Sequence, residues 1–198
     1  FLEFIMSSEQ HSSSLIAPRF LILTALVLLA ALARTIDLGV PNFAPIGAIA
    51  LFGGACFGSR KLAFLVPGLT LLVSDLILNS GRYKNLAADA WSLMPFTAGA
   101  FALVVLLGFG LRGRNRSVSG VFVGSLAASC VFFFVTNLGW WLVFIQPRTI
   151  STLGTTYAAA IPFFHHTVLG DVFFNTVLFG SLALVESRFV SVRPVGTA

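Results

Sequence analysis

Apolar runs recur along this chain at a length, and with a poverty of charge, that water-soluble folds do not tolerate. They fall at residues 20–33, 46–57, 62–78, 91–111, 118–144 and 161–185, with short links between them. A helix needs roughly 20 mostly apolar residues to cross the hydrocarbon of a bilayer. The 198 residues therefore hold about six such spans and leave no room for a second, soluble domain. Only 10% of the residues are charged, against about 25% in soluble domains, which is too few to give most helices a polar face. A water-soluble enzyme and a disordered regulator are both excluded. The expected fold is an all-α integral membrane protein, a compact bundle of six transmembrane helices over residues 18–187. It lies between a flexible polar N-terminal tail (1–17) and a short polar C-terminal tail (188–198). The lipid bilayer is the first expected partner, and the 21 Phe against 2 Tyr and 2 Met suit a surface facing lipid.

The first run lies between Arg19 and Arg34 and ends in Ala31-Leu32-Ala33, a small-x-small pattern found at signal-peptide cleavage sites. Because the segment is still present, an uncleaved first span is the preferred reading. The second run is the shortest and follows Pro41 and Pro45. Ala50, Gly54 and Gly58 recur in it every fourth position, as Gly120, Gly124 and Ala128 do in the fifth run. Small residues at that spacing share a helix face and let a neighbouring backbone come close. Cys56 and Cys130 sit in apolar runs; they read as buried thiols, with neither a disulfide framework nor metal-ligand spacing.

The formal charge of +5 reflects basic residues at span ends rather than an affinity for nucleic acid. With a cytoplasmic N-terminus, that side receives Arg19, Arg60, Lys61, Arg112, Arg114, Arg116, Arg188 and Arg193. The opposite side receives Arg34, Arg82, Lys84 and Arg148. The excess of positive charge inside predicts a multi-pass protein with both termini cytoplasmic. The unusual polar residues then gather on the outer side: Asp37, Asn42, Asp75, Asn79, Tyr83, Asn85, Asp89, Asn137, Trp140, Trp141, Tyr157, His165, His166 and Asp171. The inner connections are short and basic. A recognition site opening outward follows from this asymmetry.

Asp75 and Asp171 lie within apolar runs, where an ionisable residue costs roughly 2.5–3.5 kcal/mol on insertion scales. Each therefore either faces a ligand or answers to a neighbouring Arg or a helix break. His165 and His166 point about 100° apart on a helix and cannot chelate one metal from one face. No zinc pattern accompanies them, so they serve as interfacial polar groups or as a single axial ligand to haem, chlorophyll or a corrinoid cobalt. Trp140 and Trp141 suit an interfacial aromatic belt or a stacking platform; Asn137 could bond a substrate or join helices. No nucleotide loop, nucleophile elbow or zincin motif occurs, and nothing pairs a nucleophile with a base. No enzymatic activity, metal or cofactor is expected.

Several stretches resemble an uncharacterised bacterial family of six-helix proteins often labelled as transport proteins. They are Pro41-Asn42-Phe43-Ala44-Pro45-Ile46-Gly47-Ala48-Ile49-Ala50-Leu51-Phe52-Gly53-Gly54, Ser74-Asp75-Leu76-Ile77-Leu78, Thr136-Asn137-Leu138-Gly139-Trp140-Trp141, and residues 157–171 from Tyr157 through His165-His166 to Asp171. That family is distantly similar to the substrate-binding S components of energy-coupling-factor vitamin transporters. The resemblance implies a six-helix bundle of the bacterial inner membrane that binds a small solute from outside and draws energy from partner subunits. S components often present an Ala-x-x-x-Ala face from span one. Here Ala25 is followed at the fourth position by Leu29, which departs from that docking pattern.

The first reading is thus a membrane transport protein of S-component type, with Asp75, Asn79, Asn137, Trp140, His165 and Asp171 binding a small organic solute. The alternative is an accessory structural subunit of a larger membrane assembly, respiratory or photosynthetic, docked through the small-residue stripes of spans two and five.

Overall fold

The computed structural model of the chain is entirely helical in its regular structure among the described residues, which are 2–36, 39–81, 87–113, 116–189 and 192. Side chains are described from residue 18 onward, except at 87, 88 and 90. Six helices follow in order: α1 (Leu2–Thr35), α2 (Ile46–Cys56), α3 (Arg60–Ser80), α4 (Ala87–Phe109), α5 (Val118–Phe144) and α6 (Ile150–Arg188). The backbone of α1 runs back to Leu2, over the Ser-rich stretch that composition suggested as a tail.

Five of the helices are long and apolar enough to cross a membrane; α2 is not. It has 11 residues, about 17 Å at 1.5 Å per residue, against roughly 30 Å of hydrocarbon. Six helices are present as expected, and five of them have spanning length. The reason is local. Pro41 and Pro45 lack the backbone donors that a helix extended upstream would need. Asn42 between them takes a left-handed φ of 61°, and Ala44 N–H closes a tight turn on Asn42 C=O at 3.1 Å. Residues 39–45 therefore enter the bundle as non-helical chain.

The short helix is the centre of the molecule. Residues 47–56 are all buried, and each of the other five helices packs against α2. Its closest neighbour is α4. A Cβ added at Gly54 would lie 2.1 Å from Val105 C=O and 2.9 Å from Gly108 Cα, so only glycines permit this crossing. Of the two stripes singled out in sequence, Ala50, Gly54 and Ala128 are buried in internal contacts and Gly124 packs on Leu51 and Leu111. Gly120 is part-buried in the first turn of α5, where its N–H bonds Ser117 Oγ. Gly58 does no packing: it is exposed, with open space where its Cβ would be. Cys56 is buried as expected, whereas Cys130 is exposed on the outer face of α5.

The helices alternate in direction. At one end Glu186 near the end of α6 pairs with Arg19 of α1 at 2.6 Å and with Arg116 ahead of α5 at 2.5 Å. Arg112 lies at the same end, its guanidinium 4.3 Å above the Phe109 ring. Burial and the nearby Arg60 hold Arg112 below the usual arginine pKa. At the other end Arg34 of α1 meets Asp75 of α3. Arg82, Lys84, Arg114 and Arg193, used in the charge count, lie outside the described residues.

The crossing of α2 and α4 generates a contrast between two glycines one turn apart. Gly54→Leu should lower the melting temperature of the detergent-purified protein by about 6–12 °C, the equivalent of an overpacking cost near 3 kcal/mol. Gly58→Leu should leave it unchanged; equal shifts for the two would contradict the packing described.

Candidate functional site

Five long helices around one short helix cannot fill their bundle evenly. Where α2 is present the interior is packed; beyond its N-terminus it is not. There the structure has a cavity of about 920 Å³, bounded by α1, α3, α4, α5, α6 and the chain leading into α2. Its volume is at the upper end of the range of small-molecule sites. Trp91 and Trp140, 40% and 44% exposed, stand on its walls towards the open end.

The floor is the start of α2 and Asp171 of α6. Asp171 is 1% exposed and accepts hydrogen bonds from Ser129 Oγ at 2.7 Å and from the backbone N–H of Ala48. A carboxylate on the first free N–H groups of a helix satisfies orphan donors and the positive end of the helix dipole. The fit requires a glycine: a Cβ at Gly47 would lie 2.4 Å from Asp171 Oδ1. Of the sequence alternatives for Asp171, the helix-cap role is present, and the residue faces the cavity as well.

The wall between α1 and α3 carries the other charges. Arg34 pairs with Asp75 at 2.5 Å, their side chains 13% and 19% exposed, and also donates to Ser74 Oγ at 2.7 Å. Asp75 thus has the arginine partner foreseen for it, yet both residues line the cavity together with Asn79 one turn on. On α5 the lining residues are Phe132, Phe133, Thr136, Asn137 and Trp140. Asn137 donates to Phe133 C=O at 2.8 Å within its own helix. On α6 they run Thr152, Thr155, Thr156, Ala159, Ala160, Phe163, Phe164, Thr167 and Asp171, the three-to-four spacing of one helix face.

Of the six residues proposed to bind substrate, Asp75, Asn79, Asn137, Trp140 and Asp171 come together on this cavity. His165 does not. It falls off the α6 stripe that carries Phe164, Thr167 and Asp171, and lies exposed with its ring tilted against that of His166, centroids 3.9 Å apart. Trp141 is likewise away from the cavity, its indole N–H bonded to Thr152 Oγ1 at 3.0 Å. The sequence reading missed Thr97, Met94, Thr136, Thr156 and Thr167. Counting back from Asp171 in steps of three and four would have found the two on α6. Several threonine hydroxyls donate to carbonyls one turn back, as Thr136 and Thr156 do at 2.6 and 2.8 Å. Their oxygens keep acceptor capacity for a guest. Asp37, Tyr83 and Asn85 lie outside the described residues. Among the described residues no group of three or more His, Cys, Asp and Glu side chains is placed to hold a metal.

The cavity is apolar and aromatic over most of its wall, with amides, hydroxyls and one ion pair at fixed points. The model of a family of unknown function (DUF6580) matches residues 14–193. No curated protein and no solved structure matches the chain.

The ion pair on the wall can be weighed by a mutant cycle. Arg34→Met and Asp75→Leu should each destabilise by about 1–3 kcal/mol, because each strands a part-buried charge. The double variant should cost less than either. Thermal unfolding of the four proteins measures this, and additive losses would show that the pair is not coupled.

Proposed function

The chain belongs to the family of unknown function DUF6580, and we propose that its members of this form are multi-pass membrane proteins that capture a small organic solute. The observation that carries the reading is the cavity of about 920 Å³, which lies at one end of the bundle. A pore would need a path through both ends. Here the far half is occupied by α2 and its packed neighbours, and beyond them by the Arg19–Glu186–Arg116 ion-pair cluster. The reading is therefore a binding protein with one mouth.

The solute that suits these walls is amphipathic and partly planar. Trp91, Trp140, Phe133 and Phe164 offer faces for stacking, while Asn79, Asn137 and the threonines offer hydrogen bonds. Five helices of spanning length and the basic end bearing Arg19, Arg60, Arg112 and Arg116 support a bacterial inner-membrane location with that end, and both termini, in the cytoplasm. The cavity then opens outward. With no nucleotide motif in the sequence, energy for release would come from partner subunits, as it does for the S components of energy-coupling-factor transporters.

The accessory-subunit alternative drew on the many Phe and on the small-residue stripes as docking faces. The stripes once available as docking faces, Gly54 with Ala50 and Gly124 with Ala128, are used inside the chain.

The test is purification in mild detergent followed by mass spectrometry of the extracted small molecules. A solute retained by the parent protein and by His165→Ala, but lost when Asn137→Phe and Thr167→Phe fill the cavity, is expected. Absence of any retained molecule, with stoichiometric co-migration in a larger complex, would sink the reading.

A further inference from the structure

Beneath the cavity floor two pairs of polar residues face each other across the α5–α6 interface. Asp171 and Asn175 are four residues apart on α6, and Ser125 and Ser129 four apart on α5, so each pair shares one helix face. All four are essentially inaccessible to solvent, at 1% for Asp171, Asn175 and Ser125 and 0% for Ser129. They are one connected set. Ser129 Oγ donates to Asp171 Oδ2 at 2.7 Å, and Asn175 Nδ2 to Ser125 Oγ at 2.9 Å. Ser129 Oγ also approaches the Ser125 carbonyl at 3.1 Å.

The set has more acceptors than donors. The Ser125 hydroxyl proton goes to Val121 C=O, and the single Ser129 proton has two competing acceptors. Asn175 Oδ1 is buried without a hydrogen-bond partner. The Asp171 carboxylate, with about four lone-pair sites, has Ser129 and Ala48 N–H as its donors. Among the described residues no cationic side chain pairs with it. The described arginines nearest in the fold are engaged elsewhere, Arg34 with Asp75 and Arg19 and Arg116 with Glu186. The two helices packed against this face, α2 and α5, contain no Arg, Lys or His.

A lone carboxylate, an amide oxygen and two hydroxyls are hard oxygen donors with a single formal negative charge. Divalent ions usually draw on more carboxylates than this. We propose that Asp171, Ser129, Ser125 and Asn175 form a binding site for a monovalent cation reached through the cavity. The cation is either an alkali ion or the ammonium group of a solute occupying the cavity. The assignment rests on the cavity reading only for its route of entry.

The experiment is thermal unfolding of the purified full chain in NaCl, KCl or methylammonium chloride, with N-methyl-D-glucamine chloride keeping ionic strength constant. A saturable rise of about 5–10 °C is expected at a cation concentration one hundredfold above Kd. Asp171→Asn, which can still accept from Ala48 N–H as an Asn cap, should fold and lose the shift. Asn175→Leu should raise the apparent Kd about tenfold. A shift with Na⁺ or K⁺ identifies an alkali site; one confined to methylammonium identifies a solute ammonium. No shift with any cation, as a buried water alone would give, overturns the proposal, as does a shift that survives in Asp171→Asn. Should that variant fail to fold, an unchanged Kd in Asn175→Leu overturns it. The outcome is separable from the solute reading: the cation shift stands or falls whether or not a molecule is retained on purification.

Discussion

A helix buried on all sides must have its ends satisfied by the protein itself, and α2 is such a helix. Residues 47–56 are buried, and each end group left unpaired there would cost several kcal/mol in apolar surroundings. Two charged side chains from distant parts of the chain meet this demand. Asp171 accepts from Ala48 N–H at the positive end, and Arg112 donates to Gly54 C=O and Phe57 C=O, both at 2.9 Å, at the negative end. Both signs agree with the helix dipole, where a partly buried charge contributes up to about 2 kcal/mol. The middle of α6 and the turn after α4 are thereby tied to the same central element.

The remaining architecture follows from how short that element is. The packed half of the bundle is the half α2 reaches, with Phe52 against the Phe179 ring at 5.2 Å and Val104, Val105 and Ala100 fully buried beside it. The other half is enclosed by five helices with nothing of helical width inside. One end of the protein is thus a core and the other a cavity, and Asp171 stands at the boundary between them. The same carboxylate that ends the cavity holds the helix that defines the core.

Much of the fold was legible in the sequence. The apolar runs marked α1, α3, α4, α5 and α6, and their alternation placed the basic residues at one end. The shortness of the run at residues 46–57 was also visible, but its meaning was not, because hydropathy counts apolar residues without knowing whether lipid or protein surrounds them. Gly54 in a fourfold stripe signalled a close approach. That the partner was Gly108 on α4, within the same chain, and that Gly58 was idle, depended on where the two helices cross. Five of the six residues singled out as candidates line the cavity, because an ionisable or amide group in an apolar run must face something other than lipid. His165 was misplaced because adjacent polar residues on a helix diverge by about 100°, and composition does not say which of them faces inward.

By itself the sequence determined that the chain would be helical, apolar on its outside and basic at one end. Those properties follow from the length and charge of each segment alone. Only the tertiary structure decided that the second run is a central half-length helix, and that a cavity therefore exists. The reason is that a void is a property of what five neighbours leave unfilled. It also decided the two roles of Asp171, since the Gly47 backbone, the Ala48 N–H and Ser129 reach that carboxylate from segments 42 residues and more away along the chain.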